Sequence, residues 1–193
     1  MDLMKLLETR RTYRRFDQSR EIPQEVIEKM MAAQRLASCS VNSQRLRYIV
    51  VKTPELVEKV FPNTKWAARL PKEQGTPKEG ERPTLFVLVV YEKDKKHKWI
   101  DTDAGLAMSN ITLAAWSEGV GSCILDSVDR PEVMKVLNLD DNLEIQSVIA
   151  FGYPVHESHI VEPKSKDELG YYLDENRDYC VPKLDVDDVV TYL

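Results

Sequence analysis

The stretch that decides the fold is Thr84-Leu85-Phe86-Val87-Leu88-Val89-Val90-Tyr91. After Thr84 its side chains are aliphatic or aromatic, and many are β-branched, with no alternation between polar and apolar positions. A strand without such alternation is buried on both of its faces. We therefore predict that residues 84–91 form a central strand of a β-sheet.

Three shorter apolar segments predict further strands, and five segments with helical spacing predict helices around them. The strands are expected at 48–51, 122–125 and 145–151, and the helices at 2–9, 22–36, 54–60, 101–118 and 131–137. The chain shows about four strands and several helices but no internal repeat. This mixture predicts an α+β fold.

The segment from Asp101 to Glu118 predicts the most apolar helix of the chain. A helix that is apolar almost all round is buried, either in a core or at a subunit interface. Asp101, Thr102 and Asp103 are candidate caps at its start, and Gly119 is expected to end it.

A change of composition near residue 155 divides the chain. We predict one domain over residues 1–155 and a C-terminal extension over 156–193, because the core pattern stops and a charged, irregular segment follows. Within the domain, residues 62–83 are rich in Pro, Gly, Lys and Glu. Irregular segments of this length tend to be functional or mobile.

Arginines are concentrated in Arg10-Arg11-Thr12-Tyr13-Arg14-Arg15-Phe16, although the net charge of the chain is −5. A guanidinium can grip phosphate oxygens in pairs and stays charged at physiological pH. The cluster is a candidate anion site, and a solvated basic turn fits the composition about as well. The chain lacks both the G-x-G-x-x-G motif and the P-loop lysine motif, so side chains would have to hold any bound phosphate.

Composition also argues against several classes of function. A sequence pI near 5.4 is unusual for a protein that binds nucleic acid. No apolar run is long enough to span a bilayer, and the first residues lack the pattern of a signal peptide. We therefore expect a cytoplasmic protein without nucleic-acid or membrane partners.

The remaining metal-binding and thiol residues give weaker signals. The cysteines Cys39, Cys123 and Cys180 are odd in number and widely spaced, so neither a disulfide framework nor a zinc site is expected. His156 and His159 could ligate a metal together with a nearby glutamate. Two surface histidines in a loop are the favoured interpretation.

Two loops carry polar or small residues that could approach a ligand. The amides of Asn42 and Gln44 could hydrogen-bond a heterocycle, but such residues are also common turn formers. The glycines of Gly119-Val120-Gly121 would allow close approach of the backbone, and they equally suit a helix end followed by a turn.

Taken in order, these motifs resemble the nitroreductase family of FMN-dependent oxidoreductases, over essentially the whole chain. The family signature R-R-[ST]-x-R-x-F is complete at residues 10–16. The family's A-P-S-x-x-N-x-Q-P-W motif corresponds to Ala37-Ser38-Cys39-Ser40-Val41-Asn42-Ser43-Gln44-Arg45-Leu46. Further matches are Gly119-Val120-Gly121, Gly152-Tyr153-Pro154 and a tail that contains Tyr171-Tyr172-Leu173 and Val181-Pro182-Lys183.

The chain departs from the family pattern in three places. Arg45-Leu46 stands where Pro-Trp is usual, Ser38 replaces a proline, and Leu184 replaces a second basic residue of the tail.

The resemblance implies a nitroreductase-like fold, with a central, mainly antiparallel sheet surrounded by helices. It further implies a homodimer with FMN at the interface. The helix around Asn110 would lie in that interface, and the extension over 156–193 would wrap the partner subunit.

The resemblance also implies which residues bind FMN. Its phosphate and ribityl chain would be held by Arg10, Arg11, Thr12 and Arg14, with Arg14 reaching toward the pyrimidine side of the ring. Ser38, Cys39, Ser40, Asn42 and Gln44 would come from the other subunit or line the flavin edge. Ile124, Leu125, Asp126 and Ser127 would pass the hydride-accepting nitrogen, and Lys183 is a candidate phosphate contact. Arg15 is expected at the surface.

The function implied is electron transfer from NAD(P)H through FMN to nitroaromatic, quinone or similar small electrophilic acceptors, by a ping-pong mechanism. The chemistry belongs to the cofactor, so no catalytic side chain is expected. Two alternatives remain. One is an FMN-binding or regulatory protein with little turnover, and the other is a metal-binding protein built on His156 and His159.

Overall fold

The computed structural model describes residues 2–193 and contains a central sheet of four antiparallel strands. The strands are β1 (Leu46–Val51), β2 (Leu85–Glu92), β3 (Gly121–Leu125) and β4 (Leu143–Gly152), in the order β1-β2-β4-β3. No residue from Leu85 to Tyr91 is more than 2% exposed. The prediction of a central strand buried on both faces is confirmed.

Residues 2–193 contain seven helices. They are α1 (Leu3–Thr9), α2 (Gln24–Gln34), α3 (Pro54–Val60), α4 (Lys72–Gly75), α5 (Ile100–Ser117), α6 (Arg130–Val136) and α7 (Val186–Val189). Single 3₁₀ turns occupy residues 40–42, 61–63 and 93–95. No helix within residues 2–193 combines the length and the apolar character that crossing a bilayer requires.

The alternation of side chains along β2 supplies both hydrophobic cores. Phe86, Leu88 and Val90 face a core that also contains residues of α3 and α6. Leu85, Val87 and Val89 face the opposite core, which α2 and α5 cover. Burying a side chain of this size stabilises the fold by about 1.5–3 kcal/mol. Because β2 contributes such side chains to both cores, it is a major source of the stability of the domain.

The buried helix predicted at 101–118 is present as α5, but its start differs from the prediction. The cap position is Trp99, and the expected caps Asp101, Thr102 and Asp103 lie inside the first turns, so that prediction is wrong. The side chain of Asp103 is buried and accepts the backbone N–H of Ser40 instead. Gly119 ends the helix as predicted, with φ +76° and an N–H bonded to the carbonyl of Trp116.

The C-terminal extension contains a second sheet, which the sequence pattern did not predict. Its strands are β5 (Ser158–Val161), β6 (Tyr172–Leu173) and β7 (Tyr179–Pro182). The middle strand, β7, runs parallel to β5 and antiparallel to β6. The strands have only two to four residues, and β7 is mostly buried while β5 and β6 are exposed or half-buried. Segments this short do not show the apolar periodicity that marks a core strand. The division at residue 155 stays a prediction.

Candidate functional site

The arginine-rich signature, residues 10–16, is an extended segment that joins three of the motifs. The backbone N–H of Tyr13 donates to the carbonyl of Ser122 at 2.9 Å, beside the start of β3. Farther along, Phe16 forms an isolated bridge with Pro154, just beyond β4. The signature therefore lies across the neighbouring ends of two strands, where Gly119-Val120-Gly121 and Gly152-Tyr153-Pro154 also lie.

Two glycines make this close approach possible. A Cβ atom on Gly121 would stand 2.6 Å from Cγ of Pro154 and 2.9 Å from Cβ of Tyr13. A Cβ atom on Gly152 would stand 2.7 Å from Cβ of Phe16. Any larger residue would push the signature away from the sheet.

Arg10 and Arg11 follow α1 and present adjacent positive charges. Within residues 2–193 neither guanidinium forms an ion pair with a carboxylate. Arg11 donates one hydrogen bond to the carbonyl of Leu7, but its Nε is buried and has no partner in the described chain. Burial, reinforced by the charge of Arg10, lowers the pKa of Arg11. Such a group is stabilised by a bound anion.

Arg14 is held by residues of the C-terminal extension. Its backbone N–H donates to Nε2 of His156 at 3.0 Å. Its guanidinium lies 4.5 Å from the ring centre of Tyr171 and 4.8 Å from that of Tyr179, within the range of cation–π attraction. The Tyr179 hydroxyl is buried and has no partner among the described residues.

His156 is buried, so the interpretation of a surface histidine is wrong for this residue. Its ring lies between those of Tyr13 and Tyr179, at centroid distances of 5.3 and 5.0 Å. Because Nε2 accepts the N–H of Arg14, Nδ1 must carry the proton, and it donates to the carbonyl of Glu157 at 2.7 Å. Burial lowers the pKa of His156 to about 4.

His159 lies apart from this cluster, exposed in β5. The part of the chain that the structure describes has no group of three or more His, Cys, Asp or Glu side chains placed to hold a metal ion.

Arg15 is buried, which corrects the expectation that it lies at the surface. Its side chain is only 8% exposed. It donates to the carbonyl of Arg177 and lies 3.6 Å from Oε1 of Glu81, which Arg177 also contacts at 3.3 Å. The contacts of Arg15 thus differ from those of Arg14, whose guanidinium lies against Tyr171 and Tyr179. Arg15 therefore ties the extension to the domain.

The second motif forms a separate loop between α2 and β1. Val41, Asn42 and Gln44 have positive φ values of 48°, 52° and 46°. The interactions that stabilise the loop include the hydrogen bond from the Ser40 N–H to Asp103 and a contact of 3.4 Å from the Gln44 N–H to Sγ of Cys39. Asp103 could not be assigned to this loop from sequence, since the two are more than 60 positions apart.

The loop residues Ser38, Cys39 and Gln44 line a cavity of about 460 Å³, which no residue of the signature reaches. In the described chain, no hydrogen bond or ion pair connects the predicted FMN contacts of this loop with those of the signature. The loop set is Ser38, Cys39, Ser40, Asn42 and Gln44, and the signature set is Arg10, Arg11, Thr12 and Arg14. One protomer therefore presents the two predicted halves of the FMN site in different places.

The other predicted contacts lie at the end of β3 and in the tail. Ile124 is exposed and Leu125 is buried. Asp126 pairs with Arg130 at 2.6 Å, and the carbonyl of Ser127 accepts the N–H of Lys65. Lys183 has an exposed side chain, and its backbone N–H is bonded to Val161. The FMN-binding roles of all these residues stay predictions.

Comparisons with known proteins agree with this architecture. The sequence model of the Nitroreductase family matches residues 7–153. A protein of Archaeoglobus fulgidus with the provisional name NADH dehydrogenase/NAD(P)H nitroreductase is 31% identical over 165 residues, which cover 83% of this chain and 90% of that protein. The chain belongs to the nitroreductase family.

Solved structures show the same fold. A nitroreductase family protein from Clostridium difficile aligns with a TM-score of 0.69 at 20% identity, over 100% of this chain and 98% of the other. A protein of Desulfovibrio desulfuricans, provisionally named a nitroreductase and solved in complex with FMN, aligns with a TM-score of 0.69 at 19% identity, over 91% and 97% of the two chains. The predicted nitroreductase-like α+β fold is confirmed, while wrapping of the extension around a partner stays a prediction.

Proposed function

We propose that this protein is an FMN-dependent oxidoreductase that transfers electrons from NAD(P)H to nitroaromatic, quinone or similar small electrophilic acceptors. The two half-reactions would occur in turn at one site, as in a ping-pong mechanism. The observation that carries the proposal is a set of guanidiniums, those of Arg10, Arg11 and Arg14, that have no carboxylate partner within residues 2–193 of an acidic chain.

The chemistry of these donors fits the phosphate end of FMN. A phosphate monoester carries about two negative charges and several strong acceptors. The buried Arg11 Nε and the nearby signature hydroxyl of Thr12 are donors of the required kind. Arg10, Arg11, Thr12 and Arg14 would hold the phosphate and ribityl chain, and bound FMN would supply the hydride and electron chemistry.

The protein's own groups would bind and orient rather than exchange protons. Burial raises the pKa of Cys123 to about 11, so its thiol stays protonated and unreactive. His156 stays neutral at physiological pH and serves as a hydrogen-bond acceptor. Near the ring, Ile124, Leu125, Asp126 and Ser127 would line one edge, and Lys183 is proposed as a further phosphate contact.

A complete site would require a second subunit. Ser38, Cys39, Ser40, Asn42 and Gln44 lie away from the signature of their own chain, so they would serve the flavin of the partner. Exposed apolar side chains on neighbouring helices support such an interface: Leu3 and Met4 of α1 are 63% and 60% exposed, and Leu106 of α5 is 44% exposed. We therefore propose a homodimer with FMN at its interface.

Spectroscopy of the purified protein tests the cofactor. We expect a yellow protein whose flavin is released on denaturation with the mass of FMN. Inability to load FMN under any condition would contradict the proposal. Light scattering after size exclusion should give the mass of a dimer.

Anaerobic titration then separates an enzyme from a flavin-binding regulator. NADH or NADPH should bleach the flavin, and a nitroaromatic or quinone added afterwards should restore its colour. Bound FMN that neither nucleotide bleaches would instead support the regulatory alternative.

A further inference from the structure

Three further arginines without carboxylate partners lie far in sequence from the signature. Arg35 follows α2, while Arg45 and Arg47 lie at the start of β1. None of the three forms an ion pair in the described chain, where the arginines that do so are Arg15, Arg82, Arg130 and Arg177. No carboxylate within residues 2–193 therefore neutralises these three guanidiniums by direct contact.

All three line the cavity of about 460 Å³ beside the 37–46 loop. This volume lies within the range of small-molecule sites in proteins. Its walls combine polar groups with apolar side chains, the latter being those of Met31, Ala37, Leu46, Val50 and Ala107. The cavity can therefore cover an organic group as well as an ion.

The charges around the cavity favour a dianion. Its one acidic side chain is Asp103, and one oxygen of that carboxylate accepts the N–H of Ser40. The lining carries three positive charges, those of Arg35, Arg45 and Arg47, and only this one negative charge. The two charges of a phosphate monoester would balance the surplus of positive charge.

Local hydrogen bonds hold two of the guanidiniums and leave donors free. Arg45 Nη1 donates to the hydroxyl of Ser43 at 2.5 Å. Arg47 Nη1 donates to the carbonyls of Gln44 and Leu46 at 2.9 and 2.8 Å. Within residues 2–193 the remaining guanidinium nitrogens of Arg45 and Arg47 make no hydrogen bond. The Tyr48 hydroxyl adds a neutral donor, since burial raises its pKa to about 12.

We propose that this cavity binds the phosphate monoester of a small organic molecule, at a site separate from Arg10, Arg11 and Arg14 that borders the proposed flavin edge through Ser38, Cys39 and Gln44. The same chemistry is offered by the 2′-phosphate of NADPH and by a phosphorylated aromatic compound. In the first case the site would select NADPH over NADH, an assignment that rests on the proposed function. Binding itself does not depend on that function.

Calorimetric titration of the purified protein saturated with FMN tests the proposal, because the added flavin occupies any site at the signature. The probes are adenosine 2′-monophosphate and phenyl phosphate, with adenosine and phenol as controls that lack the phosphate. We expect each phosphate to bind at least about tenfold more tightly than its control, the factor that one charge-assisted hydrogen bond provides. The stronger of the two phosphates identifies the source.

Substitutions assign the binding to the cavity. Arg35→Gln, Arg45→Gln and Arg47→Gln, made singly and together, should weaken phosphate binding, by at least about tenfold in the combined variant. Lys29→Gln is the matched control, because it removes one positive charge from α2 outside the cavity. The single variants keep the test decisive if the combined variant does not fold.

Three results would overturn the proposal: equal binding of the phosphates and their controls, unchanged binding in the arginine variants, or loss of binding only in Arg10→Ala and Arg14→Ala. Loss of FMN from the arginine variants would also overturn it, since Arg35, Arg45 and Arg47 would then hold the flavin and not a second phosphate. If FMN never binds but the cavity still takes phosphate, the proposed function fails and this inference stands.

Discussion

The backbone N–H of Arg14 donates a hydrogen bond of 3.0 Å to Nε2 of His156, across 142 positions of sequence. The bond connects the signature to the first residue of the C-terminal extension. On the same extension, Tyr171 and Tyr179 lie against the guanidinium of Arg14. Both the backbone and the side chain of Arg14 therefore depend on residues that follow the domain matched by the family.

The neutral state of His156 should make stability depend on pH. Its pKa is about 4 in the folded chain and near 6.5 when unfolded. Between these values the unfolded chain binds more protons, so the free energy of unfolding should fall as pH decreases from 6.5 to 4, by on the order of 3 kcal/mol from this group. Denaturant unfolding at several pH values measures the effect.

His156→Gln, which removes the titrating group, should flatten this part of the pH profile, while the exposed His159→Gln should not. A profile of unchanged slope in His156→Gln would show that His156 does not titrate as described.

The signature arginines should control FMN affinity. Arg10→Ala and Arg14→Ala should each weaken FMN binding by about 1.5–3 kcal/mol, the cost of losing a charge-assisted hydrogen bond. A titration of the protein with FMN gives the affinity when binding is monitored by the quenching of flavin fluorescence. Wild-type affinity in both variants would rule out the phosphate assignment.

Arg15 should behave differently from its neighbour Arg14. Arg15→Ala leaves the carbonyl of Arg177 and the carboxylate of Glu81 without a buried partner, so the free energy of unfolding should fall by about 2–3 kcal/mol. Arg177→Ala removes a partly exposed contact to Glu81 and should cost less.

Folded Arg15→Ala should keep nearly normal FMN affinity, because the Arg15 guanidinium is already engaged by the carbonyl of Arg177 and the carboxylate of Glu81. A selective loss of FMN binding at unchanged stability would place Arg15 in the cofactor site instead.

The two glycines beneath the signature should tolerate no side chain. Gly121→Ala and Gly152→Ala place a Cβ atom within 3 Å of Pro154 or Phe16, which should cost about 1–3 kcal/mol of stability and weaken FMN binding by displacing the signature. Gly105→Ala in α5 meets no atom within 4 Å and should be neutral or stabilising. Thermal unfolding of the three variants compares them, and equal melting temperatures would show that the signature does not need this close approach.

The sequence predicted the elements whose own residues specify them. Residues 84–91 are apolar on both sides of the strand, so burial on both faces followed without knowledge of the neighbours. Likewise Gly119 adopts the positive φ that ends α5. The short strands of the extension were missed because their stability comes from pairing with distant segments, such as β5 with β7, rather than from an apolar pattern of their own.

By itself the sequence determined the α+β class, the central strand and the clustering of arginines in the signature, because local propensity and apolar periodicity are properties of adjacent residues. Only the tertiary structure decided that Arg15 is buried, that His156 is a neutral acceptor and that Asp103 stabilises the 37–46 loop. Each of these facts depends on a contact between residues far apart in the chain. Burial and hydrogen bonding across such distances set the charge state and orientation of a side chain, and no local pattern encodes them.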